Sequence, residues 1–296
     1  MNDNKTNINC DTGILGKPHS DSLGIPNYGL WYFEVLPEQD LVEEFIETYS
    51  FIKTAISSIK IPEFQGKKTI QFINYGETQL VYVCTVNNNR QYTLLVNQPR
   101  TRFGTGKMEY DNLLQLHNNN QGVIKPLCYF GDKKRELYVT PYYYQARCIG
   151  IDEDEWGMWI PEPEYYFKDF TDGERQIINS SMVAMLIELY DDKRKLGLSE
   201  CRLDGGDFML EKGFENQELT NENILRRMKL IAARKLISIE FNEYIERIRK
   251  ELSGKEENNS YMIIGKTLKN PMYIEEIERG IQLGLENKKK KREIYI

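Results

Sequence analysis

Two carboxylates on a glycine turn are the residues of this chain whose types and spacing could do chemistry. The sequence Asp204-Gly205-Gly206-Asp207 follows a long apolar helical pattern and precedes a short apolar segment, 208–210. Asp207 would be an oxygen ligand for Mg²⁺, and Asp204 could accept the proton of a substrate hydroxyl. The same four residues also suit a tight turn without any chemistry, because Asp and Gly both favour turns.

The wider segment 197–210 resembles the catalytic loop of the protein-kinase superfamily, which reads His-Arg-Asp-Leu-x-x-x-Asn and is followed by an apolar strand. When Leu203 takes the Leu place and Asp207 the Asn place, the His, Arg and Asp places hold Glu200, Cys201 and Arg202. A guanidinium stays protonated and cannot act as the base. The resemblance therefore implies the frame of a kinase with altered chemistry.

The order of elements before this loop extends the resemblance to about residues 65–255. Apolar spacing predicts helices over 41–59 and 108–117, and β-branched and aromatic residues predict strands over 69–75, 79–86, 91–97, 123–130 and 137–143. Asn87 to Asn89 predict a hairpin turn. The order of three strands, a helix and two strands is that of the kinase small lobe. The resemblance implies a two-lobed, kinase-like α+β fold with a β-rich small lobe and a reduced helical large lobe.

The resemblance also assigns positions to nucleotide and metal, with ATP and Mg²⁺ as the implied cofactors. In an active kinase, a lysine on the third strand holds phosphates and pairs with a glutamate of the following helix. Here Asn97 stands in the lysine place, and Glu109 matches the glutamate. Gly76 is the single glycine between the first two strands, and Tyr142 lies in the hinge. The implied cofactor-binding positions are therefore Asn97, Glu109, Gly76 and Tyr142, with Asp207 for the metal and Asp204 as the base.

The second metal ligand of a kinase is the Asp of Asp-Phe-Gly, expected about a dozen residues after the loop. The segment 210–223 contains no Asp. Because the lysine, the glycine loop, the base and this ligand are altered together, we interpret the chain as a pseudokinase that acts as a protein-binding or regulatory module. The alternative is a divergent active phosphotransferase that uses ATP and Mg²⁺. A third interpretation is a structural, phage-type or immunity protein that shares only this strand order.

The rest of the chain completes the predicted organisation. A polar lead-in (1–28) precedes the small lobe (29–144), whose extra helix comes first, and a mostly helical large lobe (145–287) precedes a solvated basic tail (288–296). The acidic and aromatic segment 151–172 is interpreted as an ordered loop and as the candidate contact surface for a partner. Thr171 and Glu174 form a capping box. Helices are predicted over 175–196, 221–251 and 272–287.

Composition limits the classes of protein. With a net charge of −6, the 296-residue chain gives no support to a nucleic-acid binder. No apolar run has the length of about 18 to 20 residues that spans a bilayer, and the N-terminus lacks a signal-peptide core. Five scattered cysteines favour reduced thiols. We expect a cytoplasmic protein whose partner is another protein, with neither a membrane nor a nucleic acid.

Overall fold

A computed structural model describes residues 8–10, 39–75, 79–87, 89–98, 101–143, 147–152, 155–160, 166–169, 171–199, 207–211, 219–253 and 273–294. The chain forms a mixed α/β protein that divides into two compact units. Unit 1 comprises Met1–Asp111 and Lys125–Tyr142, and unit 2 comprises Asn112–Ile124 and Tyr143–Ile296. No helix in the described part of the chain is long and apolar enough to cross a bilayer.

The centre of unit 1 is a six-stranded sheet. Its strands are β1 (Ile8–Cys10), β2 (Lys68–Tyr75), β3 (Gln79–Val86), β4 (Arg90–Asn97), β5 (Cys128–Gly131) and β6 (Glu136–Pro141). They lie in the order β1-β2-β3-β4-β6-β5, and all neighbours are antiparallel except β1 and β2. Asn87, with a φ of 52°, closes the β3–β4 hairpin as its sequence predicts. Of the predicted lead-in 1–28, the structure describes only β1.

Helix α1 (Gln39–Ser58) belongs to the core of unit 1. Its buried residues recur with helical spacing, as Phe51, Ile52, Ala55 and Ile56 do, and they join one apolar cluster with the sheet. That cluster contains alternate residues of β3 and β4, because successive side chains of a strand point to opposite faces. Helix α2 (Thr105–Asn119) begins in unit 1 and ends in unit 2.

Unit 2 is built around helix α3 (Asp172–Leu189), which is buried along most of its length. Thr171 and Glu174 form the predicted capping box at its start. Helices α4 (Asn221–Arg227), α5 (Phe241–Leu252) and α6 (Ile274–Ile294) follow. A Cβ atom on Gly280 of α6 would lie 2.5 Å from Cβ of Val183, and one on Gly284 would lie 2.6 Å from Cβ of Ile187. These two glycines therefore let α6 lie close against α3.

Two sheets complete unit 2. The larger contains β7 (Arg147–Asp152), β8 (Glu155–Ile160), β9 (Tyr166–Asp169), β11 (Phe208–Leu210) and β12 (Met228–Leu230), in the order β12-β11-β7-β8-β9. In the smaller, β10 (Leu196–Leu198) pairs antiparallel with β13 (Leu236–Ser238). The segment 151–172, interpreted as a loop, thus supplies strands β8 and β9.

The predicted helix over 221–251 is wrong. The chain leaves the helical conformation at Met228, forms β12 and β13, and becomes helical again at Phe241. Its apolar residues are compatible with a helix, but pairing of β12 with β11 and of β13 with β10 decides the conformation. The helix predicted over 175–196 ends at Leu189. The basic run 288–292 belongs to α6, in which Lys289, Lys290 and Lys291 are exposed.

Candidate functional site

A buried carboxylate occupies the start of α2 in unit 1. Glu136 of β6 is 1% exposed. Its Oε2 accepts hydrogen bonds from the backbone N–H groups of Gly104 (2.8 Å) and Gly106 (3.2 Å), and its Oε1 accepts one from that of Lys107 (3.1 Å). The N–H groups of a first helical turn lack intrahelical partners and carry a partial positive charge. Glu136 thus supplies from within the chain the anion that a helix N-terminus favours.

Two side chains complete the contacts of this carboxylate. Asn97, one of the implied cofactor-binding positions, donates its Nδ2 to Oε2 of Glu136 at 3.0 Å, and the hydroxyl of Tyr129 donates to Oε1 at 2.7 Å. Burial raises the pKa of Tyr129 above its usual 10.0, and the hydrogen bond to Glu136 raises it further. The amide of Asn97 is therefore engaged in an internal contact, and the structure shows it 5% exposed.

Glu109, which matches the kinase glutamate that pairs with the third-strand lysine, makes a second internal contact. Its Oε2 accepts a hydrogen bond of 2.6 Å from Nε2 of Gln79 on β3, and the same nitrogen lies 3.3 Å from the hydroxyl of Tyr138. Glu109 is 3% exposed. A neutral amide from β3 thus contacts the carboxylate, where the resemblance implies a lysine of the third strand.

The remaining predicted positions are distributed as follows. Tyr142 is half-buried at the end of unit 1, and its backbone N–H donates to the carbonyl of Gln91 at 3.3 Å. Asp207 lies in unit 2, so Asn97, Glu109 and Tyr142 belong to one unit and Asp207 to the other. Gly76 and Asp204 lie outside the described residues. The roles assigned to all six positions stay predictions.

Asp207 lines a pocket within unit 2. The other charged residues of the lining are Arg234 and Lys235, while Ala232 and Ala233 are its small residues. Apolar side chains complete the wall, contributed by Leu186, Leu198, Phe208 and Leu230. The pocket therefore combines one carboxylate with two cations.

Hydrogen bonds fix the segment between β12 and β13 that lines this pocket. The N–H of Ile231 donates to the carbonyl of Asp207 at 2.8 Å, and that of Ser199 donates to the carbonyl of Lys235 at 2.9 Å. Nδ2 of Asn112 lies within hydrogen-bond distance of the carbonyls of Ala233 and Arg234. These hydrogen bonds hold the backbone of an irregular segment in place.

The chemistry available to the pocket follows from its charges. Mg²⁺ requires oxygen ligands. The side chains of Arg234 and Lys235 carry no oxygen, and their positive charge disfavours a cation nearby. In the part of the chain that the structure describes, no three His, Cys, Asp or Glu side chains are grouped to hold a metal ion.

Burial raises the pKa of the Cys128 thiol to about 12, which keeps this thiol protonated at neutral pH.

Sequence reasoning missed several residues that define these sites. Glu136 lies just before the predicted strand 137–143 and is not among the predicted site residues, although a carboxylate beside an apolar strand needs a polar partner when it is buried. Arg234 and Lys235 were assigned to a helix, so their place beside Asp207 could not be seen. The pairing of β12 with β11 is the signal that places them there.

Comparison of the chain with protein-family models gives no match, and comparison with curated proteins gives none either.

Proposed function

We propose that this chain is a catalytically impaired, kinase-like protein that functions by binding a protein partner. The element order of unit 1 supports the kinase-like part of this proposal, because β2, β3 and β4 precede α2, and β5 and β6 follow it. In unit 2, the buried helix α3 leads through β10 to the segment 199–206 and then to the apolar strand β11. This is the context in which the resemblance places a catalytic loop.

The observation that carries the loss of catalysis is the composition of the segment after β12. The pocket that Asp207 lines is also lined by four residues of this segment: Ala232, Ala233, Arg234 and Lys235. A phosphotransferase holds a metal ion that bridges and neutralises the phosphates. It therefore needs a second oxygen ligand for this metal near the first, which here would be Asp207. The pocket instead presents two cations. The internal contacts of Asn97 and Glu109 add to this argument, since both polar side chains are buried in unit 1.

The larger sheet of unit 2 supports the binding part of the proposal. β9 is its edge strand in the described part of the chain, and Trp159 of β8 pairs with Phe167 of β9. An edge strand presents backbone groups that a partner strand can pair with, and aromatic residues contribute much of the energy of interfaces. We therefore assign the partner surface to the β8–β9 hairpin.

Thermal unfolding with ATP, with and without Mg²⁺, tests the proposal together with a phosphotransfer assay using radiolabelled ATP. We expect no metal-dependent shift and no transfer. A ligand at about a hundred times its Kd would stabilise the fold by roughly 2.7 kcal/mol, which is easily seen. A Mg²⁺-dependent shift that Asp207→Ala abolishes, accompanied by transfer, would establish the divergent phosphotransferase instead.

A further inference from the structure

Unit 2 carries a cluster of exposed cations where the turn after α3 meets the end of α6. We define the basic corner as Lys193, Arg194 and Lys195 of the turn and Lys289, Lys290 and Lys291 of the helix. Contacts between the two elements hold it together: Nδ2 of Asn287 donates to Glu188 at 2.7 Å, and Nζ of Lys288 donates to the carbonyl of Tyr190 at 2.7 Å.

The charges of the basic corner are layered. The carboxylates of Glu188 and Asp191 lie underneath, with 10% and 12% of their side chains exposed. The cations above them are far more exposed, at 63% for Arg194, 56% for Lys195 and 53% for Lys291. Two carboxylates at the corner are also exposed, Asp192 (37%), which pairs with Lys288, and Glu240 (60%), which pairs with Lys195. The six cations of the corner outnumber these two, although the chain as a whole has a net charge of −6.

An apolar side chain adjoins these cations. Leu285 of α6 is 37% exposed and precedes Lys289 by four residues, so the two lie on the same side of the helix. Apolar side chains at a binding surface contribute affinity through burial, and surrounding charges contribute specificity and rate. The corner thus offers one apolar contact next to several cations.

We propose that the basic corner binds an acidic segment of a partner protein through its exposed lysines and Leu285. Charge complementarity selects an acidic partner. A nucleic acid fits less well, because the chain as a whole has a net charge of −6 and nucleic-acid binders typically neutralise about 6 to 10 phosphates. The proposal concerns a different surface from the β8–β9 hairpin and does not depend on the kinase-like fold.

Fluorescence anisotropy of a labelled peptide, Glu-Glu-Glu-Leu-Glu-Glu-Glu, tests the proposal at low salt with the full chain. We expect saturable binding that weakens as salt increases, because exposed charges are screened. The variant with Lys193→Gln, Lys289→Gln and Lys290→Gln should bind about tenfold more weakly, since each exposed ion pair contributes modestly. Lys288 is left unchanged because it docks α6 on Tyr190.

The matched control carries Lys53→Gln, Lys60→Gln and Lys133→Gln, which changes the net charge equally at exposed positions of unit 1. It should bind the peptide as the native chain does. Absence of binding at low salt, or equal weakening in the two triple variants, would overturn the proposal. Tighter binding of an oligouridine RNA that depends on the same three lysines would also overturn it, in favour of a nucleic-acid surface.

Discussion

Helices α2 and α6 are held in place by contrasting means. The start of α2 is fixed by hydrogen bonds to the buried carboxylate of Glu136, whereas α6 is fixed by close contact of Gly280 and Gly284 with α3. We call the buried carboxylate of Glu136 and its hydrogen-bond donors the polar anchor. It includes Asn97, one of the residues that the resemblance assigns to nucleotide binding. The apolar contact involves none of the predicted site residues, and Asp207 of the same unit lines a pocket. A residue that the resemblance assigns to nucleotide thus also has a hydrogen bond within the fold.

The largest effect should come from removing the polar anchor. Glu136→Ala leaves three backbone N–H groups, the amide of Asn97 and the hydroxyl of Tyr129 without their acceptor. We expect a loss of about 3 to 5 kcal/mol in the free energy of unfolding, because each buried polar group left without a partner costs about 1 to 3 kcal/mol. Urea unfolding measures it. Glu243→Ala, at an exposed position, should change stability by less than about 0.5 kcal/mol; equal losses for the two variants would end the argument for an anchor.

The corresponding test of the apolar contact is Gly280→Ala. The added methyl group would lie 2.5 Å from Cβ of Val183 and 2.6 Å from the carbonyl oxygen of Ser180. We expect a loss of about 1 to 3 kcal/mol from overpacking. Gly173→Ala is the control, because nothing lies within 4 Å of its added Cβ atom. A Gly280→Ala chain as stable as the control in thermal unfolding would show that α6 does not depend on close approach.

The Tyr129→Phe variant measures the contribution of a single hydrogen bond to the polar anchor. It removes one hydrogen bond to a buried carboxylate, for which we expect a loss of about 1.5 to 3 kcal/mol at pH 7. The folded-state pKa of Tyr129 is raised above its usual 10.0. Its contribution is therefore complete below pH 10 and declines as the pH rises through the folded-state value, because the unfolded chain loses this proton first.

Unfolding measured from pH 8 to pH 12 tests the sign of this effect. The native chain should lose stability above pH 10 more steeply than the Tyr129→Phe variant does. Parallel curves for the two chains would contradict a raised pKa at this position.

The smallest effect is expected for Asp207→Ala. The side chain is only half-buried in the lining of a pocket, so we expect a change within about 1 kcal/mol. Differential scanning calorimetry can measure it. A loss as large as that of Glu136→Ala would place Asp207 among the structural carboxylates and remove the contrast between the two units.

Several elements were predicted well because their signals are local. Alternating β-branched residues and the asparagine turn identified β3 and β4, and the capping box identified the start of α3. Segment 228–238 was missed because its apolar residues fit a helix locally, while its strand conformation depends on β10 and β11, each more than 15 residues away. The partners of Asn97 and Glu109 were missed for the same reason, since Glu136 and Gln79 are distant in sequence.

The central proposal is that Asp207 does not bind a divalent metal, because Arg234 and Lys235 line the same pocket. Electron paramagnetic resonance of Mn²⁺, titrated with the native chain and with the Asp207→Ala variant, tests this directly. We predict that neither chain lowers the signal of free Mn²⁺. A loss of free signal with the native chain that Asp207→Ala restores would contradict the claim and return the chain to the metal-dependent phosphotransferases.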